Sequence, residues 1–185
     1  MQSEQLIQSL IEQTRQIINR VEALKSYDLE TLTWRAQEDA WSILECIEHL
    51  NRYGDDYLPS IERAIKASNT QAEQTFKSGF LGGYFAKSML PKEKLNKMKT
   101  FNDKNPLHAS LDRSVIDTFM HQQTQLLDLL NQSRTVSLNK VKIPTTFSSL
   151  IKMKLGDLFQ FLVNHMLRHL AQIDRVKAMG LSSVG

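Results

Sequence analysis

The stretch LGDLFQFLVNHMLRHLAQIDRVKAM, residues 155–179, decides the fold. Within it Leu158, Leu162, His165, His169, Ile173 and Val176 recur in steps of four and three. That spacing lays them along one face of one α-helix. Gly180 follows as the expected stop. A face this apolar must be covered by other elements.

Three further segments can cover it. The first runs from about Ser3 to Tyr27, with Leu6, Leu10, Ile17, Val21 and Leu24 as a stripe and Ile7, Ile11 and Ile18 beside it. The second opens at Ser42, where Ser42-Ile43-Leu44-Glu45 has the form of a capping box. Ile43, Ile47, Leu50, Ile61 and Ile65 form its apolar row, and Pro59 predicts a kink or a fresh start there. The third runs from about Leu111 to Gln132, with Val115, Phe119, Leu126 and Leu130 inward. Between the second and third lies a long connection, about Ala67 to Ser110, expected to hold a short docked helix. Asp28 to Ala40, and a stretch containing Pro144, read as connectors.

The expected fold class is therefore all-α: one domain over residues 1–185, an antiparallel four-helix bundle with a long helix 2–helix 3 connection. Composition agrees. Leu occurs 25 times and Val seven times, and seven Gly with four Pro are few turn formers in 185 residues. A single Cys excludes an intramolecular disulfide framework and cysteine-built zinc fingers, and makes a reducing, cytoplasmic setting the default. No apolar stretch is long enough to span a bilayer, so no membrane partner is expected. The net charge is +3, and residues 87–104 hold six Lys against Glu93 and Asp103. A nucleic-acid binder would need a broader basic face. The Lys cluster reads as a solvated connector, or as a lure for an anionic co-substrate.

His165 and His169 carry the chemical signal. Four residues apart, their rings sit on successive turns and can converge on one metal ion. The bland alternative is a pair of core histidines bonded to carbonyls. Met166 stands where a zinc protease would place its glutamate, so a protease reading is poor. His49, on the second helix beside Cys46 and Tyr53, is the best third ligand, while His108 and His121 are expected in solvent. Cys46 fits a small buried hydrophobe better than a thiolate ligand. Glu45 and Gln172 are candidates to orient a ligand imidazole. Arg168 is a surface charge, an ion-pair partner or a substrate anchor. Trp34 and Trp41 are expected to pack the core or the end of the bundle.

Two elements carry a resemblance. Trp41-Ser42-Ile43-Leu44-Glu45-Cys46-Ile47-Glu48-His49-Leu50 resembles the W-S-x-x-E-x-x-x-H-L element of the DinB-like (DinB/YfiT-like) metalloenzymes. His165-Met166-Leu167-Arg168-His169-Leu170-Ala171-Gln172-Ile173 resembles the family's H-x-x-R-H-x-x-Q-I element. The segment Gly79 to Lys99 is similar to a link that some members carry between helices two and three. The resemblance spans about Asp39 to Val176. It implies a metal triad of His49, His165 and His169, an up-down-down-up bundle, a homodimer, and a divalent ion such as nickel, zinc or iron.

Three neutral imidazoles leave a coordination position open to water or a thiol. The expected function is metal-dependent activation of a thiol or water for transfer or hydrolysis on a small molecule, with a low-molecular-weight thiol as co-substrate. The alternative is a non-catalytic metal-binding or protein-interaction bundle.

Overall fold

The computed structural model describes residues 1–91, 100–146 and 148–182. Of the Lys cluster, Lys92, Lys94, Lys97 and Lys99, with Glu93, lie outside the described residues.

Helix α1, Ser3–Glu22, buries the predicted stripe and tightens into a 3₁₀ turn, Ala23–Ser26, before Tyr27. A short helix α2, Leu29–Thr33, interrupts the expected connector; the Asp28 carboxylate caps it by accepting the Thr31 N–H at 2.7 Å. Helix α3, Ile43–Lys66, starts at the predicted capping box: the Ser42 hydroxyl accepts the Glu45 N–H at 3.2 Å and the Glu45 carboxylate accepts the Ser42 N–H at 2.7 Å. Pro59 neither ends nor restarts α3. It lies inside the helix, where it removes one backbone donor.

Helix α4, Phe80–Ser88, is the short helix expected in the long connection, and it packs on the last helix. Helix α5 is Ser114–Gln132 and α6 is Leu155–Ser182. α6 passes through Gly180, which is therefore not its stop. A Cβ on Gly180 would lie 3.2 Å from the Trp34 indole, so the missing side chain makes room for that ring.

The expectation of a purely helical chain needs one correction. Strands β1, Lys142–Thr145, and β2, Ser148–Lys154, form an antiparallel two-stranded sheet. Ile143 and Thr145 are buried while Lys142 and Pro144 are exposed, which is the two-residue period of a half-buried strand. Both strands of so small a sheet are edges, so Pro144 is tolerated despite its missing donor. The molecule is thus mostly helical, with a small sheet leading into α6.

The long helices pack in a cycle: α1 lies against α5 and α6, and α3 lies against the same two. Cross-contacts give their directions. Glu4 pairs with Arg134 and Lys25 with Asp117, so α1 and α5 are antiparallel. Asn51 reaches Val115 and Asp55 reaches Gln122, so α3 and α5 are parallel. Arg20 pairs with Asp174, and Tyr27 lies under Lys177, so α1 and α6 are parallel. His49 meets His165 and Tyr57 meets Phe161, so α3 and α6 are antiparallel. The apolar stripes of all four meet in a single core, with Ile17, Ile47, Phe119 and Leu158 fully buried within it.

Candidate metal centre

Antiparallel packing of α3 on α6 sets the second turn of α3 against the middle of α6. His49 therefore faces His165 and His169. All three are buried, at 3%, 4% and 7% exposure. Their ring centroids are 5.0, 4.6 and 4.7 Å apart. The Nε2 atoms converge: His49 Nε2 lies 3.1 Å and His169 Nε2 3.0 Å from His165 Nε2. The three offer one ligand atom each within 4.8 Å of one another, and no other His, Cys, Asp or Glu joins the group among the described residues.

The outward nitrogens fix where the hydrogens sit. His49 Nδ1–H donates to the Lys104 carbonyl at 2.7 Å. His169 Nδ1–H donates to Gln172 Oε1 at 3.1 Å. A neutral imidazole has one N–H, so Nε2 of both rings carries a lone pair directed inward. His165 Nδ1 is buried without a partner and lines a cavity of about 20 Å³ with Gln123, whose Oε1 is also unpartnered. That volume holds about one water molecule.

This arrangement fits a cation. With hydrogen on His165 Nε2, only one of the two facing lone pairs receives a straight bond. With hydrogen on His165 Nδ1, three lone pairs point at one another with nothing between them. A divalent ion among the Nε2 atoms would satisfy all three, and the Lys104 carbonyl and Gln172 amide oxygen would hold the His49 and His169 rings in the ligating form.

Electrostatics point the same way. Burial pushes the His49 imidazole down to about 4, and the nearby Arg52 and Lys104 charges add to this against the Lys104 carbonyl. Burial pushes His165 and His169 well below the usual imidazole range, and each imidazole is further opposed by its neighbours and by Arg168. All three are thus neutral near pH 7, the form that binds metal.

Aromatic rings enclose the trio. Trp41 lies 4.7 Å from His49 and stacks on His169 at 5.8 Å. Tyr53 sets its edge against His49 and His165 at 5.1 and 4.7 Å, and Phe161 lies 5.6 Å from His165. Trp41 is thus a wall of the site as well as a packing residue. Trp41 and Tyr53 are both partly exposed, so these walls reach the surface.

The other candidates separate cleanly. His121 is exposed, as expected. His108 is also exposed; it adopts a left-handed φ of 63° and contacts Arg35. Cys46 is buried outside the trio, and burial pushes its thiol up. Glu45 does not orient His49. Its carboxylate is clamped by Arg35 at 2.7 and 3.2 Å and accepts the Ser42 and His108 N–H groups, both at 2.7 Å. Gln172 does hold a ring, that of His169. Arg168 is buried rather than on the surface, and burial lowers its pKa.

Lys104 was the residue the sequence hid. Read as one charge among six, it is buried in a 3₁₀ turn, Asn102–Lys104. Its ammonium pairs with Asp56 and Asp103 and donates to the Arg52 carbonyl. Those bonds hold its own carbonyl against His49.

The family model described as the DinB superfamily matches residues 5–173. No curated protein and no solved structure matches the chain.

Proposed function

The chain belongs to the DinB superfamily, and on that premise we propose that His49, His165 and His169 hold a divalent metal ion that serves chemistry on a small molecule. The observation that carries this is the convergence of three buried Nε2 atoms, two of them with their lone pairs forced inward by acceptors behind the rings. Imidazole donors suit nickel, zinc and iron. When bound, such an ion with three protein ligands keeps one position for water or a thiol and lowers its pKa, supplying a nucleophile near neutral pH.

The chain's own residues would do the rest. Lys104 and Gln172 hold two rings in the ligating form. Trp41, Tyr53 and Phe161 limit water around them. Arg52 and Lys104 lie near His49 but are paired with Glu48, Asp56 and Asp103, so a low-molecular-weight thiol as co-substrate rests on the open ligand position alone. Transfer of a thiol, or hydrolysis, is the reaction class this supports. The four relative directions and the cyclic packing of α1, α3, α5 and α6 support reading the architecture as an up-down-down-up four-helix bundle.

The test is metal content of the protein purified without an affinity tag. About one equivalent is expected for the native chain, and a loss of most of it for His165→Ala. Equal metal in both ends the proposal. Turnover of electrophiles in the presence of several reduced thiols then separates an enzyme from a metal-binding bundle.

A further inference from the structure

Helix α4 turns several apolar side chains away from the core. Phe80 is 94% exposed, Tyr84 67% and Leu81 46%. Phe80 and Tyr84 are four apart and share one face of the helix, with Lys87 continuing it. Gly82, Gly83 and Ala86 are buried on the opposite side. Next to this helix lies the outer face of the hairpin. Lys142 pairs across the ladder with Lys154, and Pro144 with Lys152, so these side chains share one face. Leu150, 92% exposed, lies farther along β2, in the irregular part of the ladder between Ser148 and Lys152. Lys154 joins the two pieces: its stem lies against Gly79, and its ammonium donates to the Lys77 carbonyl at 2.6 Å.

The exposed charges of this surface are basic, and the Asp157 carboxylate behind it is buried and accepts from the Ser78 hydroxyl and the Gly79 N–H. Residues 76–91 and 140–156 contain no Asp or Glu. None of Lys77, Lys87, Lys142, Lys152 and Lys154 forms an ion pair among the described residues. Lysines directly opposite on a ladder repel one another. A face that gathers like charges and also displays bare apolar groups is costly by itself, and an anionic apolar partner relieves both costs.

We propose that α4 and the outer face of the β1–β2 hairpin form a docking surface for an anionic lipid bilayer. Phe80, Leu81, Tyr84 and Leu150 enter the headgroup boundary while the lysines meet lipid phosphates. A second copy of the chain fits less well, because this face against itself would oppose lysine to lysine. Nucleic acid supplies the charge but gives the aliphatic Leu81 and Leu150 nothing to enter. The expectation of no membrane partner rested on the lack of a spanning stretch, and no helix among the described residues is long and apolar enough to cross; docking in the interface needs no span. The proposal is independent of the metal.

Co-sedimentation of the full chain with vesicles tests it. Binding is expected to phosphatidylcholine vesicles containing phosphatidylglycerol, to be weak to phosphatidylcholine alone, and to fall with salt. Phe80→Ser/Tyr84→Ser and Lys142→Glu/Lys152→Glu should each weaken it about tenfold or more. All four positions are exposed, so circular dichroism should show both variants folded. Three results overturn the proposal: no binding to the anionic vesicles, binding that both folded variants retain, or self-association that Phe80→Ser/Tyr84→Ser abolishes, which would assign the face to a second copy.

Discussion

The seam between α1 and α5 and the seam between α3 and α6 are built on opposite plans. Along the first, the interior positions are apolar except for Thr14, whose hydroxyl donates to the Leu10 carbonyl at 2.7 Å: Leu6, Leu10, Ile17 and Val21 on one helix, Phe119, Leu126 and Leu130 on the other. Charges stand at its rim, where Arg134 grips Glu4 at 2.9–3.1 Å and Lys25 meets Asp117 at 2.7 Å. The second seam takes polar groups inside. Three imidazoles sit where the other seam has aliphatic carbons, and one of their nitrogens has no partner. The first seam needs nothing further to be stable. The second leaves a buried nitrogen unsatisfied as protein alone, and that difference supports the proposal of a ligand there.

The contrast can be broken in the apolar seam first. Phe119→Ala should cost about 3–5 kcal/mol of stability, because it leaves a cavity in a fully buried position. Denaturant melts will measure it. Metal stoichiometry of the folded fraction should stay unchanged; joint loss of both would show that the seams are not separate.

Acid should act on the other seam. His49 in the folded chain resists protonation until about pH 4, whereas the unfolded chain accepts the proton near 6.5. With metal chelated, stability is therefore full above about pH 6.5 and falls as pH drops towards about 4, by about 3 kcal/mol for this ring alone. His165 and His169 shift in the same direction and steepen the fall. Melts across this range should show a shallower slope for His49→Gln. Identical slopes would place the acid sensitivity elsewhere.

Gln172→Leu removes the acceptor behind His169 without touching an Nε2 atom. Metal affinity should weaken about 10–100-fold by calorimetric titration, with little change in stability of the metal-free chain. The smallest effect belongs to the rim of the apolar seam. Arg134→Ala breaks its contacts to Glu4 in water-exposed surroundings and should change stability by less than about 1 kcal/mol in the same melts. A larger loss would mean that the rim does more than decorate the seam.

What the sequence revealed divides along the same lines. Helices that bury a face announce it by period, so α1, α3, α5 and α6 could all be read, as could the capping box at Ser42. His165 and His169 were visible because they break an apolar face with a ligand's spacing, and Gln172 because it follows His169 by three. The hairpin was missed: Pro144 argued for a loop, and the alternation around Ile143 covers only a few residues. The five-residue α2 is too short for a period to show. Gly180 was misread because its role is room for Trp34, a contact set by packing far along the chain. The support of His49 by Lys104 left no trace, since a backbone carbonyl belongs to every residue and only the fold selects one. The Arg35 clamp on Glu45 was hidden for a similar reason: it lies ten residues away, beyond the reach of helical spacing.

The hydrogen bond from His49 to the Lys104 carbonyl gives the long α3–α5 connection a hold on coordination chemistry. While the Asn102–Lys104 turn stays in place, the ring is locked as the Nδ1–H tautomer and its inward nitrogen can bind metal. Should the turn swing away, the proton is free to move to the inward nitrogen, and the ring loses its bias towards the ligating form without leaving its place. The loop thereby biases proton position, and on the proposed function a protease cut in it is expected to weaken metal binding before it unfolds any helix.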